Sequence, residues 1–329
     1  MTENHRRERL PNCVEVRTAQ SVADRLKELL VQGCLELPDP GLGWTGERWD
    51  ALTDLGRTDL ALARLAEGHT GATSILRQAG RVPEPGALYG VWAARSGGTG
   101  AVLDGDRLSG TVRFCSGAHS LDRALVAAIS ENGESILLEV PLSAPGITRD
   151  ATTWQALGMD ASDSPDVIFD NVAVGIRVGA PGFYTGRPGF WWGGGGVAAV
   201  WFGGSVGLVE RTAELLRAGN GADDHQLAHL GELHTSLAAT GALLRDTAAA
   251  IDADPEADLM DKIWLLRASA EQTARAVVDR VPRIIGPAPL SRDRSFAQAL
   301  ADLQLYVRQH HAERDYAALG LRVLEAKEA

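Results

Sequence analysis

The 329-residue chain is poor in several groups on which common chemistries depend. Cysteine occurs three times, at Cys13, Cys34 and Cys115, with no C-x-x-C pair. That spacing excludes a disulfide scaffold and a thiolate metal cluster, and it reads as the thiols of a cytoplasmic protein. Basic residues are outnumbered, 32 Lys and Arg against 43 Asp and Glu, for a net charge of −11. An acidic chain is not a nonspecific binder of nucleic-acid backbones, which requires a basic patch. No apolar run approaches the roughly 20 residues that cross a bilayer, and the charged opening MTENHRRERL has no apolar stretch behind it to make a secretory signal. The expectation is a soluble, cytoplasmic protein with neither nucleic acid nor membrane as partner.

Familiar catalytic signatures are missing as well. The run Gly193 to Gly196 is not followed by G-K-[ST], so it is not a P-loop, and no G-x-G-x-x-G lies in a strand–turn–helix unit. There is no G-x-S-x-G elbow and no H-E-x-x-H. His225 and His229 are four apart on an expected helix but lack a third ligand at metal spacing, so they read as a solvated face.

What is present falls into three blocks. Val22, Leu26, Leu29 and Leu30 recur at helical spacing behind Ser21, an expected N-cap, and before Gly33, an expected stop. A second helical stretch runs from Trp49 to Ala79, with Gly68 and Gly71 read as sites of close packing. Beyond Pro83 the pattern changes to short strands. Asp104-Gly105 and Asn132-Gly133 are hairpin turns between apolar runs, and PDVIFDNVAV reads as a further strand pair. Nine glycines then fall between Gly182 and Gly204, read as a closely packed helix start or a backbone approached by a ligand. Four amphipathic segments, starting near Val206, His225, Ala257 and Ser295, fill the remainder and favour an antiparallel bundle. Helices, strands and helices in separate blocks exclude a doubly wound sheet. The expected class is α+β and multi-domain: a helical domain (1–86), a β-barrel or sandwich domain (87–181) and a C-terminal four-helix bundle (182–329).

Two strand-region motifs carry a resemblance. LSGTVRFCSGA resembles the flavin-contacting strand of acyl-CoA dehydrogenases through Gly110, Val112, Phe114, Cys115, Ser116 and Gly117. WQALGMDASDSPDVIFDNVAV is similar to the family's second motif through Trp154, Gly158, Met159, Ala161, Ser162, Ser164, Val167, Phe169, Val172 and Val174. The C-terminal ADLQLYVRQHH resembles a divergent R-D-A-K-x-Y region. The resemblance runs from about Leu35 onward and implies the same α–β–α subunit. It also implies bound FAD and a homo- or hetero-oligomer, dimer or tetramer. An acyl-CoA or other acyl thioester is the implied substrate, and an electron-transfer protein a possible partner.

On that resemblance Ser116 hydrogen-bonds the flavin edge, while Phe114, Cys115, Trp154 and Ser162 lie near the ring. The implied reaction, α,β-oxidation of an acyl thioester, needs a carboxylate base. The two base positions of the family align with His310 and with Val197, and neither is Glu. The candidates for a non-standard base are therefore His310, Glu313 one turn beyond it, and Glu67 on the N-terminal helices. The family's T-E-P-G-G-S-D segment is replaced by AARSGGTG. The Arg that holds the FAD pyrophosphate and the Q-x-x-G-G-x-G stretch have no counterpart. These departures leave two further readings open: a flavin-dependent monooxygenase of the same fold, in which a His near position 310 manages protons, or a non-catalytic subunit of a heteromeric acyl-CoA dehydrogenase.

Overall fold

The computed structural model describes residues 17–219 and 221–325. Cys13 and the charged opening segment lie outside them. Three helices come first: α1 (Ala19–Val31), α2 (Thr45–Thr58) and α3 (Leu60–Gln78). The N-cap of α1 is Thr18, and Ser21 completes a capping box from the third helical position. The helical stretch expected over 49–79 is two helices, parted at Asp59. Asp59 turns to extended backbone and accepts the amides of Ala61 and Leu62, so it ends α2 and caps α3 at once.

Eight strands follow: β1 (Tyr89–Trp92), β2 (Gly100–Asp104), β3 (Arg107–Val112), β4 (Arg123–Ser130), β5 (Ser135–Pro141), β6 (Ile147–Asp150), β7 (Asp166–Ala173) and β8 (Ile176–Arg177). They form one sheet in the order β6-β7-β3-β2-β4-β5-β8, with β1 added in parallel along the first half of β4, rather than the two sheets of a sandwich. The two expected hairpins close as Asp104↔Arg107 and Ile129↔Ser135. The expected strand pair in PDVIFDNVAV is a single strand, β7. Val167, Phe169 and Val172 all point inward, because a register shift against β3 and a left-handed Asn171 (φ 53°) absorb the extra residue.

The helices α4 (Phe183–Gly186), α5 (Gly189–Ala218), α6 (Asp224–Ala253), α7 (Met260–Ile285), α8 (Pro287–Arg292), α9 (Arg294–Tyr306) and α10 (Glu313–Glu325) complete the chain. The fourth bundle segment is therefore two helices, and its break falls at residues 307–312. The glycine run belongs to the interior of α5. A Cβ on Gly195 would sit 2.4 Å from the Trp49 ring, and one on Gly203 would sit 2.1 Å from the Thr53 carbonyl oxygen. Small residues are what let α5 lie against α2. Among the described residues α5 is also the one helix long and apolar enough to cross a bilayer, but 72% of its apolar window is buried inside the fold.

Helix α3 sits at the centre. One of its faces joins α1 and the sheet in a core containing Leu62, Leu65, Leu103, Val126 and Phe169. Another packs Leu60 and Ala63 against α5, α7 and α9. A third sets Ile75 and Leu76 against Tyr89, Leu125 and Leu137. His69 pins α3 to β1, its Nδ1 accepting the Tyr89 amide at 3.2 Å. Burial, with Arg77 and Arg48 nearby, pushes its pKa down to about 4. His69 is thus neutral when folded and takes up a proton when unfolded below about pH 6.5. Stability should fall by up to about 3 kcal/mol as pH drops from 6.5 to 4. Urea unfolding at pH 7 and pH 4.5 reads this loss, and His69→Asn should lose correspondingly less over the same interval. Equal losses in both proteins would remove His69 as its source.

Candidate functional site: two joined cavities

The loop after β3 and the loop before β7 are zipped together by their backbones. Cys115 donates to the Pro165 carbonyl (3.0 Å), Gly117 to that of Ser162 (2.9 Å) and Ala118 to that of Asp163 (3.2 Å). Left-handed Phe114, Met159 and Asp163 make the bends, and the Trp92 indole donates to the Ser116 carbonyl at 3.2 Å. The loops form one wall of a cavity of about 630 Å³. Its other walls are the end of β1, the segment Ala93–Arg95 and residues 305–309 with His311 and Arg314.

A second cavity, of about 530 Å³, runs along α3 from Arg64 to Gln78, bounded by the N-terminal half of α5, by α7 and by residues 309–315. Both cavities are lined by Arg64, Val91, Gln309, His311 and Arg314, so they meet. Volumes in this range are those of small-molecule sites. Gly68 and Gly71, expected to pack closely, instead open the second chamber, since a Cβ there would meet no atom nearer than 3.4 and 3.8 Å. Gly193, Gly194 and Gly196 line the same chamber, while Gly195 between them packs on Trp49.

The structure brings Phe114, Ser116, Trp154 and Ser162 to the first cavity. Phe114 is 55% exposed. Ser116, Ser164 and Ser162 form a buried chain of hydroxyls, with Ser164 Oγ 2.9 Å from Ser116 Oγ and 2.8 Å from Ser162 Oγ. Because Ser164 donates to Ser116, the Ser116 proton is free for a group in the cavity. Trp154 is fixed by its indole, which donates to the Asp160 carbonyl at 3.2 Å. Cys115 does not reach the cavity. It is fully buried on the opposite side of the chain, its thiol donating to the Val112 carbonyl, and burial pushes its pKa well up. The left-handed bend at Phe114, just after β3 ends at Val112, turns Cys115 back toward the core while Phe114 and Ser116 line the cavity.

His310 and Glu67 line the second chamber, whereas Glu313 is exposed at the start of α10 and lines neither cavity. His310 is buried at the break after α9 and not on a helical stripe. Its Nδ1 accepts the Ala312 amide at 3.2 Å, which leaves the proton on Nε2. Burial lowers its pKa, although Asp315 3.9 Å away works in the other direction. Glu67 accepts from Arg64 Nη1 at 2.7 Å.

Two residues at this junction escaped the sequence reading. Tyr306 lines the first cavity with a buried hydroxyl that has no partner among the described residues, and burial pushes its pKa well up. Arg64 is shared by both cavities. An arginine in the otherwise apolar LALARLA was the available signal, since a helical face this apolar rarely admits a charge without a purpose.

No family model matches the chain, and no curated protein sequence does. Solved structures do. Dibenzothiophene monooxygenase TdsC from Paenibacillus sp. A11-2 is 20% identical with a TM-score of 0.75, over 94% of this chain and 98% of that one. TdsC has also been solved with FMN and indole. Methanesulfinate monooxygenase MsuC from Pseudomonas fluorescens is 18% identical with a TM-score of 0.76, over 94% and 95%. KijD3, solved with FMN and a dTDP-linked amino keto sugar, is 17% identical with a TM-score of 0.76, over 94% and 90%. These likenesses establish the fold, which is that of the acyl-CoA dehydrogenase-like proteins.

Proposed function

We propose that the chain is a flavin-dependent monooxygenase of this fold, with FMN in the first cavity and the substrate in the second. The observation that carries this reading is the state of the carboxylates at the junction. Glu67 is tied to Arg64 at 2.7 Å, and Asp315 lies 3.5 to 3.9 Å from Arg314, His311 and His310. Neither is a free base for removing a proton from an acyl thioester. The monooxygenase chemistry named for TdsC and MsuC points the same way.

The first cavity fits a flavin on its own terms. The unpartnered Tyr306 hydroxyl and the free Ser116 proton are polar groups that a ring edge would satisfy. Arg95, Arg113 and Arg308 line the same cavity and supply cations for a phosphate. FMN is preferred to the FAD expected from the sequence because the segments that hold the second half of FAD in acyl-CoA dehydrogenases are absent. A bound flavin would supply the two-electron step, and this chain would supply position and protons. Ser116 and Trp154 hold the ring, Arg64 and Tyr306 separate the two cavities, and His310 Nε2–H faces the substrate side as a donor.

Titration of the purified chain with FMN tests the reading. Visible bands should shift and flavin fluorescence should quench, and reduced FMN supplied in air with an aromatic substrate should give oxygen-dependent product. Ser116→Ala should weaken FMN by about fivefold, the worth of one hydrogen bond near 1 kcal/mol. Acyl thioester oxidation is the second reading, favoured by the position of Glu67 on the chamber wall. Anaerobic bleaching of the bound flavin by acyl-CoA, abolished in Glu67→Gln, would replace the first reading with the second. A chain that takes up no flavin until mixed with a homologue would favour the subunit reading.

A further inference from the structure

We propose that the second chamber selects an anionic aromatic substrate, a planar ring bearing a carboxylate or sulfonate. The proposal rests on reading the adjoining cavity as the flavin site. Its basis is an excess of cations on the chamber wall. Arg48, Arg64, Arg187, Arg267 and Arg314 line it against Glu67 and Asp315. Glu67 answers Arg64, and Asp315 answers Arg314. Arg48, Arg187 and Arg267 form no ion pair among the described residues.

The hydrogen bonds of these three guanidinium groups go to neutral partners, and the carboxylates that face them, Asp39 and Glu67 for Arg48 and Asp315 and Glu67 for Arg267, act from beyond ion-pair distance. Arg48, 6% exposed, donates to the Pro38 carbonyl at 3.1 Å. Arg187 donates to the Tyr184 carbonyl at 3.0 Å, and its Nε has no partner. Arg267 donates to the Gly194 carbonyl at 2.9 Å and lies 4.8 Å over the Trp201 ring. Burial lowers the pKa of all three, that of Arg48 and Arg187 to about 10. At neutral pH each still carries its charge, so the desolvation cost is not relieved by losing a proton. An entering anion supplies the missing counter-charge and the planar geometry that guanidinium groups prefer.

The rest of the wall sets the shape. Tyr184, Phe190, Trp191 and Trp264 run edge to face, with centroids 5.4, 5.2 and 5.8 Å apart. An aromatic wall of this kind packs a flat ring. Gly68, Gly71, Gly193 and Gly194 leave space beside it. The flavin phosphate has separate cations in Arg95, Arg113 and Arg308, so the chamber arginines are not needed for it.

The test compares isosteres on the FMN-loaded chain. 2-Naphthoate, naphthalene-2-sulfonate and neutral 2-naphthamide are titrated by tryptophan fluorescence, with Trp191 and Trp264 as reporters. The two acids should bind about 10- to 100-fold more tightly than the amide, the worth of a charge-assisted contact. That advantage should collapse in Arg187→Met and in Arg267→Met, and Arg187→Lys should keep part of it. FMN affinity, read separately by flavin fluorescence, should be unchanged. Equal binding of acid and amide by the native chain overturns the proposal without any variant having to fold. So does a parallel loss of FMN and naphthoate affinity in the variants, which would assign these arginines to the cofactor. A preference for naphthoate in a chain that binds no flavin would uphold the anion selectivity and overturn the flavin reading instead.

Discussion

Asp302→Ala is expected to lower the stability of the fold by about 3 to 5 kcal/mol, the usual cost of removing one partner of a buried ion pair. Asp302 is 1% exposed on α9 and gathers three segments. Its carboxylate accepts from Arg17 at 2.6 and 3.1 Å, from the Met159 amide at 2.6 Å and from Gln298 at 2.9 Å. Arg17 in turn reaches Asp59 at 3.1 Å and Asp160 at 3.0 Å. Alanine would leave the Met159 amide and one side of the guanidinium without their acceptors, at the wall of a cavity of about 390 Å³ that Arg17 and Asp302 line together. The effect should extend to the cofactor cavity. Met159 is the left-handed residue that aims the turn carrying Ser162 and Ser164, so the variant should also bind FMN more weakly. Asp302→Asn keeps one acceptor and should fall between wild type and alanine. Urea unfolding gives the stability and FMN titration the affinity. An alanine variant within about 1 kcal/mol of wild type would mean that Arg17 is held by Asp59 and Asp160 alone.

The importance of Asp302 was not visible in the sequence, and its concealment shows which signals a sequence carries. Order and type of the blocks were legible, because apolar periodicity and the Asp104-Gly105 and Asn132-Gly133 turns are local properties. The β7 bulge was not, although V-x-F-x-x-V breaks strict alternation in the way a bulge requires. The glycines of α5 were legible only as an alternative, since whether a glycine packs or opens space depends on the helix opposite. Gly195 meets Trp49 while Gly194 beside it faces the chamber. For the site, short motifs brought Phe114, Ser116, Trp154 and Ser162 together because each lies on a loop whose partner loop is also in the motif. The chamber arginines were missed for a physical reason. An arginine on a helix ordinarily reads as a solvated face, and while the apolar LALARLA around Arg64 carried a signal, it takes the packing of α2, α5 and α7 to show that Arg48 and Arg267 are not solvated. The same limit misplaced Glu313. Helical spacing set it one turn from His310, but the chain leaves the helix at residues 307–312, and Ala312 with φ 41° turns Glu313 outward.

That break also makes His310 the residue whose replacement should cost most in turnover. A residue on a regular helix would share its backbone bonds with the turn before it. Here the chain is extended at His310, and the imidazole is buried with Nδ1 committed to the Ala312 amide. Nε2–H is left as the donor on the chamber side, 3.9 Å from Asp315 and beyond hydrogen-bonding reach of it. Burial lowers the His310 pKa below the ordinary value, so at pH 7 the ring is neutral. His310→Gln should reduce oxygen-dependent turnover of 2-naphthoate by about 100-fold or more, the usual contribution of a positioned proton donor. FMN affinity should be retained, because His310 lines the chamber and not the flavin cavity. The pH profile supplies the independent readout. The native enzyme should show an acid limb below the ordinary imidazole range, where a proton taken up at Nδ1 opposes the Ala312 N–H and breaks the bond that aims the ring. Asp315 raises that pKa, so Asp315→Asn should move the limb to still lower pH, and His310→Gln should abolish it. A His310→Gln enzyme that keeps native turnover and an unshifted limb would place the proton transfer elsewhere at the junction, with the unpartnered Tyr306 hydroxyl the next group to replace.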